Sequence, residues 1–521
     1  MSDEALYYAL HYKVDGIENE DMSRIMFLLM DLVPHKSVIY TWDDLGTANL
    51  MCDCYRNTLC YCPENKCWYV WDNRWVKQSE DIVIHDRFET LLNLLLIYVK
   101  EQEWFINENK ELDPDQKKDE LDSIHAYDKY IRSLRKRNPM RNIIGVLTMK
   151  MCKHLKDFDS NPYILNTTYK AYDLRDGSVI DNIEDYNVTM QTNTHLPDFL
   201  TTPCARWFSF IDEIMSHDKE KAKFLQRALG YSLLGVNREE CMFVAYGARS
   251  RNGKGTLFTA LEKALGGEYF QSTSPKLICE KKNGDSVDFN APQPMLATLL
   301  GARIVNMAEA QQSARLDSAS MKTMTGRDTL TTRGLYEKPF SFVPQFTLWV
   351  NTNYLPVVND DTVFLSDRVW VIEFNEKFDG ENRDEDLKEL FADPDNLPTI
   401  LGWLMDGCKD YIEHGLNPPE CVRKATENYR YQNDRIGRFI DECCDRHDCA
   451  DTSTEHRVMR GDLYQAYRNW CNTGDNRFKP IGSTTFYQEL SIRGYHAVKS
   501  IGVWFIHGLT IKENVGNRIT L

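Results

Sequence analysis

Four apolar runs recur through the middle of the chain: CMFVAYG (241–247), RIVNMAE (303–309), QFTLWVNTN (345–353) and VWVIEF (369–374). Each is mostly apolar at consecutive positions, as in strands buried on both faces, and helical or loop segments separate them. A mainly parallel sheet covered on both sides is therefore expected, an α/β architecture. RWFSFIDEIM and KAKFLQRALGYSLLG, within 201–235, carry helical spacing and lead into that sheet; helices resume from about 384 to 446. Upstream, SRIMFLLMDLV is a short helical stretch within 1–45. Residues 46–200 mix strand-like CWYVWDNRWV, helical DRFETLLNLLLIYVKEQEWF, a charged region to about 137, and strands and turns in NPYILNTTYKAYDLRDGSVI. In the last of these, Asp176-Gly177 stands between short apolar runs as a hairpin turn would. After about 455 come helices and then a hairpin. The segments are thus 1–45, 46–200, 201–383, 384–450 and 451–521.

Composition narrows the class. A chain of 521 residues, 42% hydrophobic and 27% charged, suits three or four compact units. No apolar run approaches 18 residues, so no membrane partner is expected, and MSDEALYYAL lacks the form of an export signal. An odd count of fifteen cysteines points to free thiols. The densest set is Cys52, Cys54, Cys60, Cys62 and Cys67, whose spacing is wrong for a zinc ribbon. Positions two apart on a strand share a face, so Cys52/Cys54 and Cys60/Cys62 are expected to line one side of a hairpin, with a metal site as the other reading. ECCDRHDC (442–449) reads as the end of a helix.

The candidate chemistry follows the first buried run. YGARSRNGKGTLFTALEKALGG (246–267) passes from strand to loop to helix, where converging backbone N–H groups and the positive helix end suit phosphate. Its glycines let the backbone approach, and Lys254 can reach β- and γ-phosphates. Against the usual G-x-x-x-x-G-K-[ST], Ala248 holds the first glycine's place with Gly247 one residue earlier, and Gly255 holds the hydroxyl's place. The hydroxyl arrives late, as Thr256; adenylate kinases resemble this loop in carrying Gly-Lys-Gly-Thr. Gly247, Asn252, Gly253, Lys254, Gly255 and Thr256 are the expected nucleotide-binding residues, for ATP, with Thr256 on the Mg2+ side directly or through water. Glu309 ends its strand at the carboxyl edge of the sheet, where ligands of open α/β folds bind, and can orient Mg2+ or the attacking water. Asn353 closes another strand and can place water beside the γ-phosphate. Arg368 can put a guanidinium on the transition-state charge of a neighbouring subunit's ATP.

With these elements in order, the chain resembles superfamily 3 helicases of the phage and plasmid primase-helicase family, relatives of the poxvirus primase-helicase. The likeness runs from about residue 46 onward, through LGYSLLG, YGARSRNGKGTL, MAE, MKTMTGRDTLTTRGLYEKPFSFVPQFTLWVNTNYLP and DRVWVIEF. It implies an AAA+-like P-loop NTPase core over 201–383, a primase-helicase-type accessory domain over 46–200, a helical lid or linker over 384–450 and a winged-helix-like DNA-binding domain over 451–521. It makes Lys254 the phosphate lysine, Glu309 the Walker B acid, Asn353 the sensor and Arg368 the arginine finger. Lys322, Arg327, Arg333 and Lys338 fall in the family's DNA-contacting hairpin, although Arg327 stands where a second glycine is common, and Ser366-Asp367 depart from the residues that often precede the finger. Only about 45 residues precede the family-like region, so a motor without its own primase is expected, served by a separately encoded one.

Charge supports a nucleic-acid partner locally, although the net charge is −16. From Arg315 to Lys338 five basic residues face three acidic ones, and from Glu455 to Leu521 nine face five. Helix, helix and hairpin in the latter is the order of a winged helix. Ser483 is its expected second cap, Thr484, Tyr487 and Gln488 can face a groove, and Lys499 in the wing can meet phosphate; such modules also bind proteins. The expected protein is an ATP-dependent helicase acting on single-stranded and forked DNA in a homo-oligomeric ring, expected to be a hexamer, at an intracellular (cytoplasmic) site where a phage, plasmid or viral genome replicates. An origin-binding scaffold that uses ATP only to assemble is the alternative, and a small-molecule kinase a third.

Overall fold

The structure, a computed structural model, describes residues 19–197, 203–280, 293–308, 314–334, 339–358, 362–380, 384–448, 455–472 and 480–512. Its amino-terminal unit is built on helices. Asn19–Leu32, Asp44–Tyr55, Ile82–Glu108, Pro114–Leu134 and Arg137–Lys150 enclose a core of Ile25, Leu29, Phe88, Leu95, Ile131 and Leu147, so the 19–32 helix belongs to the same packed unit as the other four. The charged stretch to residue 137 is helical because Asp113 and Gln116 form a reciprocal capping box and Pro114 fills the first turn, where no N–H bond is lost.

Cysteine spacing misleads at one end of this unit. Cys52 and Cys54 lie on the Asp44–Tyr55 helix, not on a strand. The local reason is a helix start: Asp43 accepts from Gly46 N at 2.7 Å, and a Cβ at residue 46 would lie 2.0 Å from the Thr41 carbonyl oxygen. Cys60 and Cys62 do sit on a strand, Leu59–Cys62, with Cys62 opposite Cys67 in a hairpin. Burial pushes the Cys54 and Cys60 thiols up to about 12, and among the described residues no group of three or more potential ligands could hold a metal ion. Nor is any described helix long and apolar enough to cross a membrane.

The four apolar runs pair as expected. We number the central strands β1 (Met242–Tyr246), β2 (Phe270–Thr273), β3 (Ile304–Ala308), β4 (Thr347–Thr352) and β5 (Val369–Glu373). They form one parallel sheet in the order β5-β1-β4-β3-β2. Alternation explains the unbroken apolar runs: Phe243, Ala245, Ile304, Trp349 and Ile372 enter the core on one face, and Val244, Val305, Met307, Val350 and Val371 that on the other. β2 has no such signature, because an edge strand only partly buried needs none. On the first face the Lys219–Leu233 and Lys254–Tyr269 helices pack with Leu397–His414.

The amino-terminal unit is tied to that face at the far end of the Lys254–Tyr269 helix. A small antiparallel sheet (Ile164–Asn166, Ala171–Asp173, Ser178–Ile180) turns at Gly177 with φ +77, and Asn166 N donates to the Tyr269 hydroxyl at 3.1 Å. Asn193 N donates to Ala264 O at 3.2 Å, Gln191 N donates to the Glu268 carboxylate at 2.8 Å, and Arg74 pairs with the same carboxylate.

The carboxy-terminal unit begins earlier in packing than in pattern. Ile436, Phe439 and Ile440 of the Arg435–Cys443 helix share a core with Leu463, Tyr467, Phe486, Leu490 and Ile506. The Arg460–Asn472 and Ser483–Ile492 helices come after a short strand, Arg457–Met459, that pairs with Val503–His507, itself paired with Ala497–Ser500. Ser483 is not the cap. That position is Gly482, with no side-chain bond, and Ser483 is the first helical residue.

Two helices on the first face approach through glycines. A Cβ at Gly230 would lie 2.1 Å from Cys408 N, and one at Gly407 would lie 2.2 Å from Gln226 O. Gly→Ala inside a helix ordinarily stabilises by about 0.5–1 kcal/mol. Here Gly230→Ala is expected to destabilise by roughly 1–3 kcal/mol through overpacking, measured as a lower urea midpoint at unchanged slope. An unchanged or higher midpoint would contradict this helix contact.

Candidate functional site

The loop after β1 opens at the carboxyl edge of the sheet, between β4 and β5. Gly247 N donates to Thr352 O of β4 at 3.2 Å, and Phe374 N, just past β5, donates to Tyr246 O at 2.6 Å. Ala248, Arg249, Ser250 and Arg251 are exposed, whereas Asn252 and Lys254 are buried. Gly253 takes φ +86 as the N-cap of the Lys254–Tyr269 helix, a conformation natural to glycine, and a Cβ there would meet Ile214 at 2.3 Å. Leu257 N donates to Gly253 O, so the amides of Lys254, Gly255 and Thr256 precede the first intrahelical bond and form the helix's unsatisfied start.

Lys254 is the centre of the arrangement. Its side chain folds back under the loop, where Nζ donates to Asn353 Oδ1 at 3.0 Å and to Gly247 O at 3.4 Å, and lies 6.0 Å from the Phe374 ring centroid. Burial lowers its ammonium from the ordinary lysine range to about 8. Asn353 is aimed by the bend that closes β4, where Thr352 Oγ1 donates to Tyr354 O at 2.8 Å and Tyr354 N donates back to Thr352 Oγ1 at 3.0 Å. Asn252 Nδ2 braces the loop by donating to Arg249 O at 2.7 Å.

Beside the loop lies a cavity of about 400 Å³. It is lined by Asn252, Gly253, Gly255 and Thr256 of the loop and helix start, by three basic side chains (Arg206, Arg251, Lys388) and three acidic ones (Glu213, Asp384, Glu385), and by Phe210, Phe378 and Leu387. A Cβ at Gly255 would meet nothing within 4 Å, and Thr256, which carries the late hydroxyl, lines the cavity. Arg206 is gripped by the Glu213 carboxylate through two bonds of 2.9 and 3.0 Å and lies 3.6 Å from Asp384. Sequence reasoning missed these lining residues. Apart from Arg251 of the loop itself, they come from a helix before β1 and a segment after β5, and their spacing carries no trace of the pocket they share.

The other expected residues divide by place. Arg368 immediately precedes β5, so it stands at the amino edge of the sheet, away from the loop of its own chain. There it donates to Glu240 Oε2 at 2.6 Å, Thr325 Oγ1 at 3.1 Å and Glu240 O at 3.3 Å. Arg327 reaches the same loop, donating to Arg238 O at 2.6 Å and Asn237 O at 3.2 Å. Lys322, on the Ser318–Thr325 helix, donates to Thr362 Oγ1 at 2.8 Å. Arg333 is exposed and comes just after the first strand of an antiparallel hairpin, Leu330–Thr332 with Phe340–Phe342. Glu309 and Lys338 lie outside the described residues. Thr484 and Gln488 are exposed on the Ser483–Ile492 helix and Lys499 on the next strand. Tyr487 is instead engaged, its hydroxyl donating to Arg460 O at 2.5 Å and its ring stacked 3.8 Å from the Arg460 guanidinium.

Comparison with known proteins gives two family matches, one described as D5 N terminal like over residues 48–216 and one as Poxvirus D5 protein-like over 431–496. The chain is 28% identical over 437 residues to "Putative helicase L207/L206" of Acanthamoeba polyphaga mimivirus, covering 79% of this chain and 44% of that one. It is 27% identical over 290 residues to "Putative helicase 022R" of Frog virus 3 (isolate Goorha), covering 53% and 28%, and 26% identical over 201 residues to "Putative helicase V13" of Sputnik virophage, covering 36% and 25%. The chain thus spans less than half the length of these curated relatives. Among solved structures, the apo NrS-1 C terminal region (305-718) aligns at 15% identity and a TM-score of 0.38, over 61% of this chain and 76% of that one.

Gly247 is crowded by the groups that position the lysine: a Cβ there would lie 2.1 Å from Asn252 Nδ2, 2.7 Å from Phe374 O and 2.9 Å from Lys254 Nζ. Gly247→Ala is expected to weaken binding of a fluorescent ATP analogue by roughly tenfold or more, an order set by one lost charge-assisted contact. Gly267→Ala, at the open far end of the same helix, is expected to leave it within about twofold, a difference too small to represent a lost contact. Equal affinities for the two variants would remove the loop from the site.

Proposed function

Because the chain belongs to the D5-type primase-helicase family, we propose that it is a superfamily 3 motor: an ATP-dependent DNA helicase that works as a ring in the replication of a viral or mobile-element genome. One observation carries the proposal. Lys254, buried at a strand-loop-helix junction, is held by Asn353 from the neighbouring strand at the carboxyl edge of a parallel sheet. Such a junction offers helix amides to a polyphosphate and a cation to its terminal groups.

In this account the β- and γ-phosphates enter the loop, displace the contact of Lys254 with Gly247 O, and are held by Lys254 and the amides of 254–256. Asn353, already at hydrogen-bond distance from that ammonium, orients the attacking water. Thr256, which lines the cavity, and Glu309, outside the described residues, would hold Mg2+, which would supply charge neutralisation on the phosphates. Arg368, at the opposite edge of its own sheet, acts on a neighbour's nucleotide, so the site is complete only between subunits. The AAA+-like core is accompanied by a winged helix built from 457–472 and 480–507, where Thr484, Gln488 and Lys499 are open to a phosphate backbone, and by the paired strands Leu330–Thr332 and Phe340–Phe342, beside which Arg333 is open likewise. Tyr487 stands in the same set, with its hydroxyl donating to Arg460 O and its ring beside the Arg460 guanidinium.

Strand separation on a forked DNA in the presence of ATP and Mg2+ tests the helicase; nucleotide-dependent assembly that leaves strands paired would favour a scaffold instead. Mixing tests the shared site. Lys254→Ala and Arg368→Ala are each expected to lose ATP hydrolysis, the latter by about 10³-fold, the size of an arginine-finger effect. Combined, they are expected to regain part of it, because Arg368 of a Lys254→Ala subunit can complete the intact loop of an Arg368→Ala neighbour. No recovery on mixing would contradict action in trans.

A further inference from the structure

The wing hairpin ends in a residue that the fold alone disfavours. Ser500 pairs with Val503, leaving Ile501 and Gly502 as a two-residue turn with φ +50 and +79. Such turns favour Asn-Gly, because φ > 0 at both positions is poorly tolerated by branched side chains. Ile501 is β-branched, sits in that strained region, and is 99% exposed. Backbone strain and apolar exposure both oppose folding at this one position, and Asn or Gly would relieve both. Around it Val498, Val503 and Trp504 are 48%, 43% and 44% exposed, so both faces of the hairpin near its tip are apolar.

The charge around this tip selects its occupant. From Leu490 to Lys512 the chain has no Asp or Glu, in a protein of net charge −16. Asp434 and Glu489 engage Arg493, and Lys512 donates to Asp441 O, which leaves Lys499 as the cation of the hairpin itself. Lys499 is opposite Trp504 in the strand register, with Nζ 6.0 Å from the ring centroid. A cation beside an exposed aromatic, next to an apolar point, matches a phosphate, a base face and a gap between bases in turn.

Building on the DNA reading above, we infer that the wing tip is a wedge: Ile501 inserts into the base stack where duplex meets single strand, Trp504 receives an unstacked base, and Lys499 holds the adjoining phosphate. The contact is indifferent to sequence, since stacking and phosphate are common to all bases. It gives the wing a part in opening the fork beyond holding the duplex.

The test uses the full chain and a forked DNA with 2-aminopurine at the junction. Wild type is expected to raise the fluorescence on binding as the probe unstacks. Ile501→Asn, which suits the turn and so keeps or raises Tm, is expected to lose that rise and to weaken fork affinity by roughly tenfold, the scale of one lost base-stacking contact. Ile501→Leu, strained but apolar, is expected to keep the rise. Hydrolysis of ATP stimulated by single-stranded DNA is expected to stay within about twofold in both, well below the loss of one contact. Retention of the rise and the affinity by Ile501→Asn would overturn the wedge, and would point to a protein as the tip's occupant, while leaving the motor in place. Absence of DNA-stimulated hydrolysis in the wild type would remove the motor, and the wedge with it.

Discussion

A single ammonium group, taken out of water, organises this structure. Lys254 is 4% exposed, and its two acceptors, Asn353 Oδ1 and Gly247 O, occupy two of the three donors an ammonium carries. Neither acceptor is charged. Keeping a cation in such a place is costly unless an anion joins it, which is why burial lowers its proton affinity. The buried faces of β1, β4 and β5, the left-handed Gly253 and the bare flank of Gly247 all fix where that charge points.

Other parts of the chain are arranged around the helix that Lys254 begins. The amino-terminal unit grips its far end, through Asn193 on Ala264 O and through Gln191 and Arg74 on Glu268. At that end Gly266 has φ +77 and breaks the helical geometry, and a Cβ there would meet Asn193 at 2.7 Å. One element thus connects the candidate nucleotide loop with the D5 N-terminal-like region. Across the sheet, Arg368, Arg327 and Glu240 join the strand edge to the helix and hairpin that carry Lys322 and Arg333. A charge change at that edge would be felt by both.

Much of the central fold was legible because it rests on local physics. Strands buried on both faces must be apolar throughout, so β1, β3, β4 and β5 could be read directly, as could the glycine-lysine loop that comes after β1. What escaped depends on contacts distant in sequence. β2 is an edge strand; Arg206, Phe378 and Lys388 become neighbours only when segments before and after the sheet fold together. The Cys52/Cys54 pair has strand spacing, but an Asp43 cap and a close approach at Gly46 decide for helix. Ser483 has the chemistry of a cap and stands one residue inside its helix. Tyr487 looks like a groove residue in sequence, and its contact with Arg460, from the preceding helix, is not legible there. Arg368 could be named from its place before β5, but its partners Glu240 and Thr325 lie on segments that no spacing connects.

The most direct measurement is proton uptake when ATP binds, from calorimetry in two buffers of different ionisation enthalpy. An anion beside Lys254 raises its proton affinity, so binding takes up a proton wherever the free site is partly neutral and the filled site is not. With the free ammonium at about 8, uptake is expected to be small at pH 7 and about half a proton or more at pH 8.5, with affinity falling as pH rises above 8. Binding with no proton exchange at pH 8.5, or with release, would contradict a phosphate held by this buried lysine.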